Sequence, residues 1–372
     1  MSAQNEILLI ITVTAVACSI PGVFLVLRRM SMTADAITHT VLLGIVIAYF
    51  LTRDLSSPLL LLGAAATGIL TVWLTELLYR TKLVTEDASV GIIFPLLFSI
   101  AVILITLYGN NVHLDTDTVL LGEIAFTPFE RVHWGNYDWG PAALWSTGTV
   151  CLLNALITGC LAKEFKLSAF DPLLAAFYGF RPVLLHYVLM TLVSLTVVVS
   201  FQAIGAILVI ALMIGPAAIA YLFAKSLQNM LIYAVVIAAV AAVSGTKAAF
   251  FLNVSIAGTV ASVIGLLFIM TIITAPRIGI VAKIRRRRYL RIRCGEETML
   301  FHVFTHQNTA EAVTENGTGT IHEHLYWSPL FLRKIARRLI KQQLLITEDG
   351  IYKLSEKGLK RIKECNILKP VD

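Results

Sequence analysis

Nine apolar stretches of about 20 residues each recur along this chain, and a segment of that length crosses a bilayer as a helix. Only 14% of the residues are charged, against about 25% in an ordinary soluble domain. The pattern predicts an all-α polytopic membrane protein with about nine transmembrane helices. The predicted spans are roughly 7–27, 34–51, 58–78, 88–108, 142–162, 182–200, 205–224, 230–250 and 255–275.

The composition changes from apolar to basic after Pro276. Residues from 277 onward hold 19 Lys and Arg against 10 Asp and Glu, whereas the preceding residues hold 11 against 13. We therefore predict a transmembrane domain at 1–276, a basic juxtamembrane linker at 277–294 and a small α+β cytoplasmic domain at 295–372. Basic segments of this kind commonly lie against anionic lipid headgroups.

Positively charged residues recur on alternate connections between the spans. Because cytoplasmic loops carry the excess of Lys and Arg, this alternation predicts a cell-membrane protein with its N-terminus outside and its C-terminus in the cytoplasm. The residues concerned lie at 28–29, 80–82, 163–181, 225 and 285–288.

Asp35 and His39 lie four residues apart within the second apolar stretch, on one helix face. Ionisable residues in a membrane helix are expensive and usually face a protein interior or a water-filled path. A carboxylate beside an imidazole suits Mn²⁺, Fe²⁺ or Zn²⁺. The alternative is a polar pair that hydrogen-bonds to a neighbouring helix.

The long connection at about 109–141 contains a second group of possible ligands, His113, Asp115 and Asp117. These residues could attract cations, or they could belong to a solvated acidic loop. The apolar sequence "TVLLGEIAF" in the same connection predicts a short helix in or near the outer interface.

The connection between the fifth and sixth spans contains "SAFDPLLAAFYGF". Asp171 and Pro172 are typical of a helix start. The following short helix offers an apolar surface that could insert into a partner protein or lie in the lipid interface. That surface comprises Phe170, Leu173, Leu174, Phe177 and Tyr178.

Two further features of the spans concern helix geometry. Gly215, Pro216 and Ala217 are predicted to interrupt the seventh span, and broken helices often mark transport paths, although proline kinks are also purely structural. Glu76 is one turn before Arg80, which predicts an interfacial salt bridge.

The C-terminal region predicts a winged-helix-like domain. Ser328 and Pro329 indicate a helix start, and Asp349-Gly350 between two strand-like runs indicates a hairpin. The basic residues of the helix share one face and could contact nucleic-acid phosphates, a partner protein or anionic lipid. They are Arg333, Lys334, Arg337, Arg338 and Lys341. Four histidines could sense metal or simply face solvent: His302, His306, His322 and His324.

Four stretches in order resemble the manganese/zinc/iron ABC transporter permeases, the type-3 ABC metal permeases. They are "MTADAITHTVLLGIVIAYF", "RTKLVTEDASVGIIF" with Glu86, Asp87 and Gly91 in register, "KLSAFDPLLAAFYGF" and "FQAIGAILVIALMIGPAAIAYLF". The resemblance covers residues 7–276. One departure is "SGTKAAFFLNVSIAG" before the last span, where the family often has a proline-containing turn.

The resemblance implies a permease subunit of an ATP-driven importer that passes a divalent manganese, zinc or iron ion along Asp35 and His39, with no tightly bound cofactor. The implied partners are a cytoplasmic ABC ATPase, an extracytoplasmic metal-binding lipoprotein, and a second permease copy or a paralogue. The implied ATPase-coupling residues are Phe170, Asp171, Pro172, Leu173, Ala176 and Gly179. The chain has no Gly-x-x-x-x-Gly-Lys-Ser/Thr loop, so we expect it to be a non-enzymatic subunit.

A different function stays open at this point. The spans could anchor a metal-responsive regulator whose winged-helix tail binds DNA or a partner protein. Truncation near Arg285 separates the two hypotheses, because uptake would survive it under the first and the regulatory output would disappear under the second.

Overall fold

The computed structural model describes residues 2–53, 58–108, 124, 127–134, 137–276 and 279–364. The chain divides into two compact units, Met1–Gly279 and Ile280–Asp372, which are treated separately below. His113, Asp115 and Asp117 lie outside the described residues. The interfacial helix predicted in "TVLLGEIAF" does so too, with the exception of Ile124.

The first unit is helical, as its composition predicts. Its helices are α1 Ala3–Leu27, α2 Ser31–Thr52, α3 Pro58–Arg80, α4 Glu86–Tyr108, α5 Ala142–Cys160, α6 Ala162–Phe170, α7 Pro172–Phe177, α8 Pro182–Ile204, α9 Ala206–Phe223, α10 Leu227–Leu252 and α11 Ile256–Thr274. Within the described residues, nine helices are long and apolar enough to cross a membrane, which confirms the predicted fold class.

A short hairpin in the first unit was not anticipated by the sequence patterns. Strands β1 Arg131–Trp134 and β2 Tyr137–Pro141 pair antiparallel just before α5. Arg131 Nη1 lies 3.2 Å from a carboxylate oxygen of the buried Glu6, and Arg131 Nε lies 2.6 Å from Asp138. The first ion pair fixes the hairpin to the start of α1, and the second joins the two strands.

Helix α1 lies at the centre of the first unit, where it packs against α5, α8, α9 and α10. Ile10, Ile11, Cys18 and Phe24 are wholly buried along it. A helix that is apolar on all sides is suited to such a position, because it has no polar face to turn toward water.

Helix α2 is held against α3 by a close approach of two backbones. A Cβ built on Gly44 would lie 2.2 Å from the carbonyl oxygen of Gly63, and one built on Gly63 would lie 2.6 Å from that of Gly44. Thr71 donates a hydrogen bond of 2.8 Å to Thr40 across the same interface. Small residues are what allow membrane helices to pack this closely.

Replacing Gly44 with Val is therefore expected to destabilise the first unit. Overpacking a tight contact costs about 1–3 kcal/mol, and here the obstacle is backbone that cannot rotate away. The melting temperature and the yield of monodisperse protein in detergent measure the effect. Gly148→Val is the matched control, because the space around Gly148 in α5 is open. Equal melting of the two variants would contradict the close approach.

The predicted interruption of the seventh span at Gly215, Pro216 and Ala217 is wrong. Helix α9 runs without interruption from Ala206 to Phe223, with Pro216 inside it. A proline removes only one backbone N–H donor from a helix. In a membrane protein, neighbouring helices can satisfy the backbone carbonyl that this leaves unpaired. Gly205, with φ +78°, separates α8 from α9 at the boundary between the predicted sixth and seventh spans. A role for the three residues in a transport path stays a prediction.

The second unit contains α12 Ile280–His306, α13 Ala312–Glu315, α14 Ile321–His324, α15 Pro329–Lys341, β3 Leu345–Glu348, β4 Ile351–Leu354 and α16 Glu356–Glu364. Its core is formed by Met299, Val303, Ile335, Leu339 and Leu345.

The β3–β4 hairpin confirms the turn predicted at Asp349 and Gly350, both of which have positive φ. Helix α12 continues through most of the predicted linker at 277–294, so those residues are helical in the part that is described. The three-part domain division and the winged-helix assignment stay predictions.

Candidate metal site and coupling segment

Asp35 and His39 come together on α2 as their spacing predicts. Asp35 Oδ1 lies 3.5 Å from His39 Nε2, and the two side chains are 34% and 31% exposed. Helix geometry alone brings the two donors to one face. The exposed third of each side chain leaves the donor atoms open to a further ligand.

The pair lies on the side of α2 that faces α4. The imidazole ring of His39 has its centre 5.6 Å from the ring of Phe94 and 6.0 Å from that of Phe98. One turn further along, Leu42 and Val46 pack with residues of α4 in a small apolar cluster. Two aromatic rings on α4 therefore restrict the orientation of the imidazole.

The spacing of the two donor atoms suits metal coordination. Bonds of 2.0–2.1 Å to a tetrahedral ion place neighbouring ligand atoms about 3.4 Å apart. The observed 3.5 Å matches that separation. Two donors make only half of a tetrahedral shell, so the arrangement can bind an ion without enclosing it.

A cavity of about 450 Å³ opens at the end of the first unit where α1 ends and α2 begins. Its polar lining consists of Arg28, Arg29, Thr33, Thr75, Glu76, Tyr79, Glu86, Ser168 and His186. Asp35 and His39 are not part of this lining, although Thr33 lies two residues before Asp35. The cavity therefore reaches the beginning of α2 but not the pair itself.

Glu76 is the most strongly hydrogen-bonded of the cavity's acidic residues in the described part of the chain. Arg80 donates to Glu76 Oε1 from Nη2 and Nε at 2.5 and 3.1 Å, which confirms the predicted salt bridge. Tyr187 donates to Glu76 Oε2 at 2.6 Å. Sequence reasoning missed Tyr187, because it belongs to α8 and no local pattern connects it with α3.

The coupling segment, residues 162–180, contains α6 and α7. Asp171 accepts a hydrogen bond of 3.0 Å from the backbone N–H of Leu174, and Pro172 is the first helical residue, so the predicted helix start is confirmed. Gly179, with φ +85°, ends α7: its N–H donates to Ala176 and the next N–H donates to Ala175. This is the hydrogen-bond pattern of a left-handed glycine cap.

The apolar surface predicted for this segment is exposed. Leu173 and Phe177 are 85% and 86% exposed, and Phe170, Leu174 and Tyr178 are exposed beside them. Of the residues predicted to couple to the ATPase, Asp171 and Gly179 shape the helix ends, and the carbonyl oxygen of Ala176 accepts a hydrogen bond within the cap. Exposed apolar side chains on so short a helix are typical of a contact surface.

The coupling segment is attached to the end of α1. Phe165 of α6 is wholly buried, with its ring centre 5.3 Å from that of Phe24. Arg28 Nη2 donates to Ser168 Oγ at 3.1 Å, and Arg28 Nη1 lies 3.4 Å from His186 Nδ1. Since α2 begins three residues after Arg28, these contacts connect the segment to the helix that carries the pair.

The five basic residues on α15 share an exposed face of the second unit, as predicted. One of them, Arg338, forms an ion pair in which its Nε donates a hydrogen bond of 2.8 Å to the buried Glu296. A contact with nucleic acid or a partner through Arg333, Lys334, Arg337 and Lys341 stays a prediction. Of the four histidines, His302, His306 and His324 lie near Glu315.

Comparison with known proteins matches residues 3–275 to the ABC 3 transport family. The zinc transport system membrane protein TroD of Treponema pallidum is 41% identical over 355 residues, which is 95% of this chain and 96% of that protein. The manganese transport system membrane protein MntD of Bacillus subtilis is 44% identical over 283 residues, which is 76% of this chain and 96% of that protein.

A solved structure is similar as well. PsaBC from Streptococcus pneumoniae in complex with Fab matches with a TM-score of 0.63 and 26% identity, over 79% of this chain and 96% of that chain. The match with MntD spans nearly the whole of that protein, whereas the match with TroD spans nearly the whole of both chains.

Proposed function

We propose, from the premise that this chain belongs to the ABC 3 transport family, that it is the membrane permease subunit of an ATP-driven importer of divalent transition-metal ions. The names of its relatives support zinc or manganese as the cargo, and the resemblance in sequence keeps iron in the same class. The ion is substrate here and not a resident cofactor. A carboxylate and an imidazole suit Zn²⁺, Mn²⁺ and Fe²⁺ alike, so the choice among the three metals requires an experiment.

The observation that carries this proposal is the pair of donors on α2. Asp35 and His39 offer one carboxylate oxygen and one imidazole nitrogen 3.5 Å apart in a span that has no other acidic or basic residue. An isolated charge within a membrane-spanning helix is expensive, and a transported cation would offset that cost. Because two donors supply only half of a tetrahedral coordination shell, the ion can also leave the site.

A second permease chain, a copy or a paralogue, would supply the remaining ligands. The exposed third of each side chain is the part that this partner would cover. An equivalent pair on that chain would complete four donors around one ion. Separation of the two chains would then open the site, which is what alternating access requires.

Residues 170–179 of the coupling segment form the proposed docking surface for a cytoplasmic ABC ATPase. Leu173 and Phe177 project from α7 and would enter a groove on that subunit. Movement of α7 would pass through Phe165 and Arg28 to the end of α1 and then to α2. ATP hydrolysis takes place on the partner, because this chain has no phosphate-binding loop.

In this proposal the N-terminus lies outside and the C-terminus in the cytoplasm, because Lys and Arg are enriched in cytoplasmic loops. The coupling segment then lies on the ATPase side. A metal-binding lipoprotein would deliver the ion to the opposite face, at the end of the first unit where Arg131 joins Glu6.

Uptake in proteoliposomes tests the proposal. The full chain is reconstituted with its cognate ATPase and metal-binding lipoprotein, and radioactive Zn²⁺ and Mn²⁺ are supplied on the lipoprotein side. We expect accumulation that requires ATP and stops when the ATPase is replaced by a hydrolysis-deficient variant. Accumulation of neither ion, nor of Fe²⁺, would contradict the proposal.

A chain ending at Gly279 separates transport from the regulator alternative. The match to MntD covers nearly all of that transport protein without the second unit, which supports a complete permease in the first unit. We expect the shortened chain to retain uptake. The relatives reported above are transport proteins and give the regulator alternative no support.

A further inference from the structure

The second unit contains a cluster of metal-binding side chains that the transport proposal does not use. His302 and His306 lie one turn apart on α12, and Glu315 lies at the end of α13. One ligand atom from each of the three residues lies within 4.8 Å of the others. His324 Nδ1, from α14, lies 3.3 Å from Glu315 Oε2. We propose that these four side chains bind a divalent transition-metal ion.

The distances suit an ion of that class. Glu315 Oε2 lies 3.6 Å from His302 Nε2 and 3.3 Å from His324 Nδ1. Ligand atoms around a tetrahedral zinc ion are about 3.4 Å apart. The rings of His302 and His306 have centres 4.8 Å apart, so a small rotation of His306 completes the shell. Three helices therefore converge on one point with donors already near coordination distance.

The donor set selects the kind of ion. Imidazole nitrogens suit Zn²⁺ and its neighbours in the first row, whereas Ca²⁺ and Mg²⁺ prefer oxygen ligands. Three imidazoles with one carboxylate therefore favour Zn²⁺, Co²⁺ or Ni²⁺ over the hard cations. This preference differs from that of the oxygen-richer pair on α2.

Burial of the cluster separates it from an ordinary solvated group of histidines. The side chains of His302 and Glu315 are only 13% and 20% exposed, while His324 is 37% exposed and leaves an entry path. A single divalent ion would satisfy all four side chains at once, because each of them offers it one donor atom.

An ion at this point would fix the segment at 307–324 to the rest of the unit. That segment already hydrogen-bonds to the β3–β4 hairpin, through Tyr352 N–H to Asn316 at 2.9 Å and Thr318 N–H to Gly350 at 2.9 Å. The ligands come from α12 on one side and from α13 and α14 on the other. Bound metal would therefore join α12 to the hairpin through this segment.

Cobalt binding to the purified full chain tests the inference. The protein carries Asp35→Asn and His39→Gln, so that the proposed transport pair contributes no signal, and it is stripped of metal in detergent before titration. We expect the visible absorption bands of tetrahedral Co²⁺ to saturate at one ion per chain and to disappear on addition of Zn²⁺.

Ligand variants in the same background locate the site. Glu315→Gln and the double change His302→Ala, His306→Ala are expected to weaken Co²⁺ binding by about 100-fold or more, because even the loss of outer-shell partners costs about 10–100-fold. His322→Ala is the matched control, since His322 lies on α14 beside His324 but outside the cluster. It is expected to bind like the parent.

Two results would contradict this expectation. No Co²⁺ bands in the parent, or unchanged bands in Glu315→Gln, would overturn the inference. Circular dichroism and gel filtration show whether each variant folds, and the nearly isosteric Glu315→Gln decides the matter if the double histidine variant does not. Failure of this site leaves the transport proposal intact, because the two use different residues and different readouts.

Discussion

Asp35→Asn and His39→Gln are each expected to reduce metal uptake by about 100-fold or more, since each removes one of the two ligands proposed on α2 and the loss of even outer-shell partners costs about 10–100-fold in affinity. Each new side chain keeps nearly the size and polarity of the original. The helix therefore stays intact while the coordinating charge or the imidazole is lost. Asp35→Ala and His39→Ala are expected to have the same effect.

Radioactive uptake, measured at equal amounts of inserted protein, checks this prediction. Met32→Ala is the matched control, because Met32 lies one turn before Asp35 on α2 and is 51% exposed, and its replacement leaves the carboxylate and the imidazole in place. The control is expected to transport normally. Retained uptake in both pair variants would remove Asp35 and His39 from the metal path.

Leu173→Asp and Phe177→Asp are expected to uncouple the permease from its ATPase. Anchor side chains at the centre of an interface typically contribute at least about 2 kcal/mol, which corresponds to about 30-fold in affinity. A carboxylate in an apolar groove adds a desolvation penalty. Both positions are more than four-fifths exposed, so neither change disturbs the fold of the first unit.

Copurification with the ATPase and permease-stimulated ATP hydrolysis measure the coupling. Lys166→Asp is the matched control, because Lys166 is exposed on the adjoining α6 and receives the same new side chain. It is expected to keep both activities. If Leu173→Asp and Phe177→Asp behave like this control, the segment lies in the lipid interface instead, as the alternative interpretation of its sequence holds.

Features that depend on a few neighbouring residues could be predicted from the sequence. Apolar length located the nine spans, and the four-residue spacing of Asp35 and His39 placed them on one face. The cap at Asp171 and the turn at Asp349 and Gly350 followed from the backbone preferences of those residue types. Each of these features is settled within one or two turns of chain.

The continuity of α9 through Pro216 could not be predicted in the same way. Pro216 was expected to interrupt the seventh span, yet α9 runs from Ala206 to Phe223 with Pro216 inside it. Ile264 of α11 lies against Gly215 in the packed bundle. The surroundings of the proline, which the local sequence does not contain, decide whether it ends a helix.

The sequence by itself determined that the chain is a membrane bundle with a basic appendage, that a carboxylate and an imidazole share one face of the second helix, and that an apolar segment follows Asp171. Only the tertiary structure decided that α2 lies against α3 through Gly44, that Tyr187 binds Glu76 across 111 positions, and that Glu315 meets His302. The physical reason is that spans of similar apolar composition enter a bilayer equally well. Which of them become neighbours depends on the complementary shapes of whole helices, and those shapes act between residues far apart in the chain.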